Sequence, residues 1–557
     1  MAHPVLFLVM ETAPQRERLM ADLGRRFGAD YQVWGAASVP VALEILTDLA
    51  GRSQDVAVVI ADQNLVGMPA VALLERAHAL HPLAKRVLIV NRRSWSPSHP
   101  VVGALARGQI DYHLYNPWVP LERLLYAPIT EFLVAWESTR EPTAVGIRIV
   151  GPQWSPRSHE LRDVLSRVGA VYAFYRDDSP AGRQLLAEAG VDGSRLPVFL
   201  FFDNRVLVDP SNTELFADLG VATTPPTKAC DVAILGAGPA GLAAAVYAAS
   251  EGLRTLLVET LIPGGQAGTS SLIRNYLGFE RGISGSDLAN RAMQQAWLFG
   301  TDFVLSQPAT WLGVRGSDRV VRTADGSEVR ARAVVIATGV EWRRLGVPSL
   351  EALLGSGVFY GAGGAEARAA QGRDVFVVGA GNSAGQAALH LAKYAATVTM
   401  LVRRDNLAAT MSEYLRTEIA TTPNVRVRLH TEVVGGGGAT HLETLELRTK
   451  GSATTEVVPA SALFLMIGAE PHTEWLRDSV ARDERGFILT GRHLVRAGAV
   501  PAAWPLQRPP TLLETSIPGV FAAGDVRHRS VKRVASAVGE GATCIQLVHE
   551  YLTDAFG

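Results

Sequence analysis

Cysteine is nearly absent from this chain: Cys230 and Cys544 are the two found in 557 residues. Their separation excludes a disulfide framework, a cysteine zinc site and a local CxxC redox pair, and no metal site is expected. An excess of either charge is missing too, since 53 basic residues face 54 acidic ones. No net field then argues for nucleic acid or an anionic membrane surface as a partner. Long unbroken apolar runs are also lacking. The stretch from Val232 to Ser250 is interrupted by Gly236, Gly238, Pro239 and Gly241, and reads as strand, turn and helix rather than a membrane span. The opening MAHPVLFLVMETAPQRERL puts no basic segment ahead of its apolar run, so no signal peptide is expected and a cytoplasmic location follows.

What remains is an ordinary globular composition, 48% hydrophobic and 19% charged. The length calls for roughly three or four domains. Residues 1–138 alternate short β-rich runs (PVLFLVM, VAVVIA, RVLIVN, IDYHLYN) with helix-like stretches, which predicts a doubly wound parallel sheet. A second small α/β unit, 143–222, carries IRIVG, HELRDVLSRVG and LPVFLFFDNRVLVD, and ends in the stiff polar linker Thr223-Thr224-Pro225-Pro226-Thr227. From Asp231 onward the chain holds two Rossmann-like dinucleotide fingerprints, so the whole reads as an α/β multidomain protein.

The first fingerprint, DVAILGAGPAGLAAAVYAASEGLRTLLVE, runs a strand into Gly236-x-Gly238-Pro239-Ala240-Gly241, then a helix and a strand ending on Glu259. The glycines permit a tight turn, backbone approach to a pyrophosphate, and close helix packing. The helix N-terminus offers N–H groups to phosphate, and Glu259 stands where a carboxylate accepts ribose hydroxyls. The second, DVFVVGAGNSAGQAALHLAKYAATVTMLVRRD, has Gly379, Gly381, Asn382, Ser383 and Ala384, and its second strand ends on Arg403-Arg404. A 2′-phosphate needs cations there, so NADPH is preferred over NADH. Each charge-assisted pair contributes about 1.5–3 kcal/mol. Two dinucleotides in one chain suit a hydride relay from nicotinamide to flavin to an acceptor.

The runs PGGQAGTSSLIRNYLGFERGISGSDLANRAMQQAWLFG, AVVIATGVEWRRLGVP and TSIPGVFAAGDVRHRSVKRVASAVGEG make residues 230–557 resemble thioredoxin reductases, class II pyridine nucleotide-disulfide oxidoreductases. The resemblance implies FAD segments at 228–342 and 473–557, an NADPH domain at 343–472, and a homodimer. It implies that Gly265, Gln266 and Asn275 meet the FAD, that Thr338-Gly339 mark a chain crossing beside it, and that Gly524-Asp525 hold the ribityl chain. Arg533, Val534 and Ala535 open a helix whose N-terminus would face the flavin's pyrimidine edge. The sequence departs from the family where the redox CxxC belongs: Tyr360-Gly361-Ala362-Gly363-Gly364-Ala365-Glu366 carries glycines instead, and glycine can neither attack nor resolve a disulfide. Ala408 stands where a third arginine belongs. Glu366 and Tyr360 have two readings, catalytic groups near the flavin or a helix-start carboxylate and a packed aromatic.

Residues 1–138 resemble a response-regulator receiver, with Asp62 at the phosphoacceptor position and Glu11 from the acidic pair, whose other member is Met10. Asn91 replaces the switch Ser/Thr and Asn116 the lysine, so a docking or dimerisation module is expected over a phosphoswitch. Residues 143–222 resemble a thioredoxin or glutaredoxin fold in which Trp154-Ser155-Pro156-Arg157-Ser158 lacks the dithiol and Leu196-Pro197 resembles the bordering cis-proline. Three functions stand: an FAD-dependent NADPH oxidoreductase delivering electrons to a small molecule or redox protein; a redox-sensing signalling flavoprotein; and a disulfide reductase using a partner's cysteines.

Overall fold

The computed structural model describes residues 3–91, 101, 104–105, 109–137, 146–270, 272–279, 282–361, 367, 369–452, 454–495 and 504–556. The chain divides into two compact units, Met1–Ala144 and Val145–Gly557. In the first, the runs VLFLV (β1, Val5–Val9) and VAVVIAD (β3, Val56–Asp62) are buried along their whole length. A strand buried on both faces belongs inside a parallel sheet. They join β2 (Gln32–Ala36), β4 (Lys85–Asn91) and β5 (Tyr112–Asn116) in the order β2-β1-β3-β4-β5, all parallel. Alternation along β1 feeds two cores. Val5, Phe7 and Val9 pack with Leu46 and Leu73 of the helices Val39–Gly51 and Ala70–Leu80. Leu6, Leu8 and Met10 pack with Leu19 and Trp136 of Ala13–Phe27 and Ala127–Glu137.

The second unit opens on a small sheet of β6 (Ile147–Gly151), β7 (Tyr172–Arg176), β8 (Val198–Phe201) and β9 (Val206–Val208), ordered β7-β6-β8-β9. The β6–β7 pair is parallel; β6–β8 and β8–β9 are antiparallel. Its first helix, Pro156–Arg167, starts where the Ser155 side chain accepts the Ser158 N–H and Pro156 supplies a preset φ at the first helical position. The Leu196–Pro197 peptide is cis.

The main sheet orders β12 (Asp302–Val304), β11 (Thr255–Val258), β10 (Cys230–Leu235), β15 (Glu328–Ile336), β14 (Asp318–Thr323) and β13 (Ala309–Arg315). Beyond its pairing with β14, β15 pairs parallel with β26 (Val520–Ala522), which arrives from almost 200 residues downstream. This return brings the helix Val534–Phe556 against the helix Pro239–Ser250; a Cβ on Gly541 would lie 2.1 Å from the Ala240 carbonyl. Between these segments β16 (Val340–Trp342) and β25 (Ala469–Pro471) form an antiparallel pair. They bracket a parallel sheet, β17-β24-β18-β19-β20, built from Val358–Tyr360, Ala462–Leu465, Asp374–Val378, Thr397–Leu401 and Val425–Arg428. The antiparallel ribbon β21 (Thr431–Gly437), β22 (Thr444–Thr449) and β23 (Glu456–Pro459) completes it.

Candidate functional site

The turn after β10 has a backbone that only glycine serves. Gly236 has φ +104°, and a Cβ on Gly241 would sit 1.8 Å from the Gly236 carbonyl oxygen. That packing seats the helix Pro239–Ser250 with Gly238 as its N-cap. A Cβ on Gly238 would find only the Cα of Gly265, 4.0 Å away, so the space between the two glycine loops is open to a ligand. Glu259, one residue past β11, accepts the Ala237 N–H at 2.6 Å and the Leu261 N–H at 3.0 Å. Burial pushes its carboxyl above the usual carboxylate range, against the opposing pull of those N–H groups and of Arg167.

These residues line one cavity. Gly236, Gly238, Pro239, Ala240 and Glu259 meet Gly265, Gln266, Thr338, Gly339, Gly524, Asp525, Arg533 and Val534 there. The Gln266 amide donates to the Val340 carbonyl (3.1 Å) and the Thr338 hydroxyl to the His472 carbonyl (3.1 Å), tying the walls to the β16–β25 crossing. Asp525 is part-buried and its carboxyl is raised by burial, and Lys532 donates to the Asp525 carbonyl. The helix Val534–Phe556 begins at the cavity wall. Ser383, Gln386 and Ala387 from the second fingerprint's helix, Asn382–Leu391, and Met466 line the same cavity. Sequence reasoning missed Gln386, Ala387, Lys532 and Trp342; the first two lie one turn past Ser383, a helical spacing that pointed to them.

Some expected residues lie elsewhere. Gly241 sits behind the turn and Ala535 is exposed, neither among the cavity-lining residues. Asn275 is also exposed and does not line the cavity; its neighbour Arg274 is paired with Glu418 at 3.0 Å. The Asn382 side chain accepts the Ser412 N–H at 2.7 Å and so closes a loop. Gly379 and the buried Ala384 pack the second turn, while a Cβ on Gly381 would meet nothing within 4 Å, leaving that helix start open. Arg403 and Arg404, just past β19, are exposed. Tyr360 is a packed aromatic: its hydroxyl donates to Glu351 (2.8 Å) and accepts the Leu345 N–H (2.9 Å), and Arg344 covers its ring. Glu366 lies outside the described residues. Cys230 and Cys544 are buried; burial pushes the Cys230 thiol up to about 12 and raises Cys544 as well.

The Trp154–Ser158 stretch is covered. Ser356 donates to the Trp154 carbonyl at 2.5 Å, the Trp154 ring stacks on His441 at 6.0 Å under Arg373, and His159 meets Phe359 at 5.1 Å. In the first unit, Glu11, Asp62, Asn91 and Asn116 share a small polar cleft at the C-terminal ends of β1, β3, β4 and β5. Strand order reverses beside β1 there, a usual ligand position in open α/β sheets. Asp62 accepts the Asn64 N–H (2.8 Å) and is raised by burial, while Glu11 accepts the Val66 N–H (2.7 Å). Among the described residues no helix is long and apolar enough to cross a membrane.

A cavity walled by the first glycine turn and by the helix that follows the second is the layout of a two-dinucleotide oxidoreductase. The chain belongs to the pyridine nucleotide-disulphide oxidoreductase family, which it matches over residues 230–541. It is 32% identical over 325 residues to a 34.2 kDa protein of the rubredoxin operon of Clostridium pasteurianum, covering 58% of this chain and 98% of that one. It is likewise 32% identical to a thioredoxin reductase of Bacillus subtilis, over 59% of this chain and 96% of the relative. Among solved structures, the Lactococcus lactis thioredoxin reductase in its FR conformation superposes with a TM-score of 0.52 at 27% identity, covering 58% of this chain and 99% of that one. The T. acidophilum thioredoxin reductase gives 0.51 at 27%, over 59% and 99%. The chain is thus an NAD(P)H-dependent flavin oxidoreductase of thioredoxin-reductase-like type, and its cofactors are FAD and NADPH.

Proposed function

We propose that this protein takes hydride from NADPH onto FAD and passes the electrons to an acceptor other than a dithiol of its own. The observation that carries it is the shared cavity: the walls read as the FAD site also include Ser383, Gln386 and Ala387 from the helix read as the NADPH site. Bound FAD would supply a two-electron carrier. Around it, Glu259 would orient the adenosine ribose, and Gly236, Gly238 and Gly265 would admit the pyrophosphate. Asp525 would hold the ribityl hydroxyls, and the helix start at Val534 would favour negative charge. Gly381 would leave the helix start at Asn382 open to the nicotinamide dinucleotide, with Arg403 and Arg404 receiving the 2′-phosphate. Both thiols are buried and held protonated, which supports an external acceptor. Two free, buried thiols also suit a cytoplasmic setting.

In this reading residues 228–342 and 473–557 form the FAD part and 343–472 the NADPH part, and two copies associate as a homodimer. Residues 143–222 form a thioredoxin-like module whose serine motif is packed against the NADPH part instead of exchanging electrons. Residues 1–138 form a receiver-like module. A sensing role draws support from its cleft, where Asp62 and Glu11 meet but amides replace the cation and switch hydroxyl. A partner's disulfide remains among the acceptors, as the names of the thioredoxin reductase relatives suggest. Anaerobic titration of the yellow protein with NADPH, against NADH, tests the proposal. Flavin bleaching with NADPH preference is expected; flavin that stays oxidised overturns it and favours the sensor.

A further inference from the structure

The helix Pro156–Arg167 belongs to the small β6–β9 layer, yet its last residue reaches the back of the cavity wall. Arg167 Nη2 donates to the Gly265 carbonyl at 3.1 Å and to the Pro263 carbonyl at 3.4 Å. Its Nη1 lies 3.5 Å from Asp163, one turn back, and the side chain is 12% exposed. A Cβ on Gly268 would come within 3.2 Å of the guanidinium. The cores are continuous as well: Ile262 and Leu305 pack with Leu161, Phe199 and Phe216 of the small layer.

The loop under Arg167 is tied to its surroundings by the Gly264 N–H on the Ala237 carbonyl (2.8 Å) and by Gln266 on Val340, and the guanidinium is what holds the Pro263 and Gly265 carbonyls. Gly264 and Gly265 have φ +109° and +52°, a region in which only glycine rests without strain. Its other side, Gly265, Gln266, Ala267, Thr269 and Ser270, lines the cavity. A guanidinium stays charged, and its rigid fork can hold two carbonyls at once, which an ammonium does poorly. Arg167 also lowers the Glu259 carboxyl, opposing the effect of burial and favouring its charged, hydrogen-bond-accepting form.

We propose that Arg167 is a positioning residue for FAD, so that the small thioredoxin-like layer is part of the flavin site rather than an appended module. The inference rests on reading the Gly236–Gly241 turn as the FAD site. The test strips FAD from the full chain and titrates it back by flavin fluorescence, in wild type, Arg167→Ala, Arg167→Lys, Arg167→Met and the exposed control Arg195→Ala. Arg167→Ala is expected to weaken FAD binding by about tenfold or more, as loss of a charge-assisted pair of bonds implies. Lys should retain more affinity than Met, and the control should match wild type. An Arg167→Ala affinity within about twofold of wild type, or an equal loss in Arg195→Ala, overturns the role. If Arg167→Ala lowers the apoprotein melting temperature, the Lys and Met variants decide: tighter binding with Lys supports the role, and equal binding overturns it. A wild-type chain that takes up no FAD sinks the flavin reading itself along with it.

Discussion

The two glycine turns of the second unit share a strand–turn–helix–strand plan and differ in almost everything that follows. At the first, Glu259 is drawn inward onto the Ala237 N–H, and a second glycine loop at Gly265 faces Gly238 across the cavity. At the second, the space above Gly381 is open and the strand ends in two exposed arginines. A turn faced by a second loop suits a cofactor that stays, and one without such a wall suits a nucleotide that comes and goes. The same supersecondary unit thus serves residence or exchange according to what its second strand ends on.

The sharpest break of that contrast is steric. Gly241→Val should abolish FAD retention and leave the purified protein colourless, because even a Cβ there overlaps the Gly236 carbonyl. Gly381→Ala should leave FAD content unchanged and weaken NADPH binding, because its Cβ would stand in the space left for the nucleotide; equal flavin loss in both would erase the distinction. Next in size, Arg403→Ala with Arg404→Ala should raise KM for NADPH by about ten- to a hundredfold and leave that for NADH unchanged, since one or two charge-assisted pairs are lost. Steady-state kinetics with both nucleotides checks it.

A smaller effect separates affinity from stability at the first turn. Glu259 has a raised carboxyl pKa in the folded apoprotein, so its ionisation opposes folding as pH rises from its ordinary value near 4.5 through the raised one. Glu259→Gln should therefore remove the loss of melting temperature that wild-type apoprotein shows as pH rises from acid toward neutral, and bind FAD about tenfold more weakly for want of a charged acceptor. Thermal melts against pH, paired with FAD titration, measure both. Smallest of all, Cys230→Ser with Cys544→Ser should leave NADPH-driven flavin reduction unchanged, and thiol reagents should react with the native protein only after unfolding, because both thiols are buried.

The parts legible in the sequence are those fixed by short-range geometry. Glycine at positions 236, 238 and 241, an acid at 259 and two arginines at 403 and 404 follow from one strand–turn–helix–strand rule, and the structure puts Gly236, Gly238 and Glu259 around one cavity, with Gly241 behind the turn. Asn275 and Tyr360 show where such reading stops. Beside the exposed Asn275, Arg274 pairs with Glu418, 144 residues further along the chain, a contact no local motif announces. The Tyr360 hydroxyl is taken by Glu351, a residue no motif singles out. Arg167 was invisible for the same reason: its partners are backbone carbonyls almost 100 residues away, and carbonyls leave no mark on a sequence.

The β16–β25 ribbon has a consequence for how such a chain could have been assembled. The residues between Trp342 and Ala469 enter and leave through neighbouring strands, Val340 opposite Pro471 and Trp342 opposite Ala469. Adjacent ends are the condition under which a folded block can be spliced in or exchanged without rerouting its host. A layer tethered at one doorway is a cassette, replaceable by another whose ends lie equally close together while the host sheet keeps its strand order.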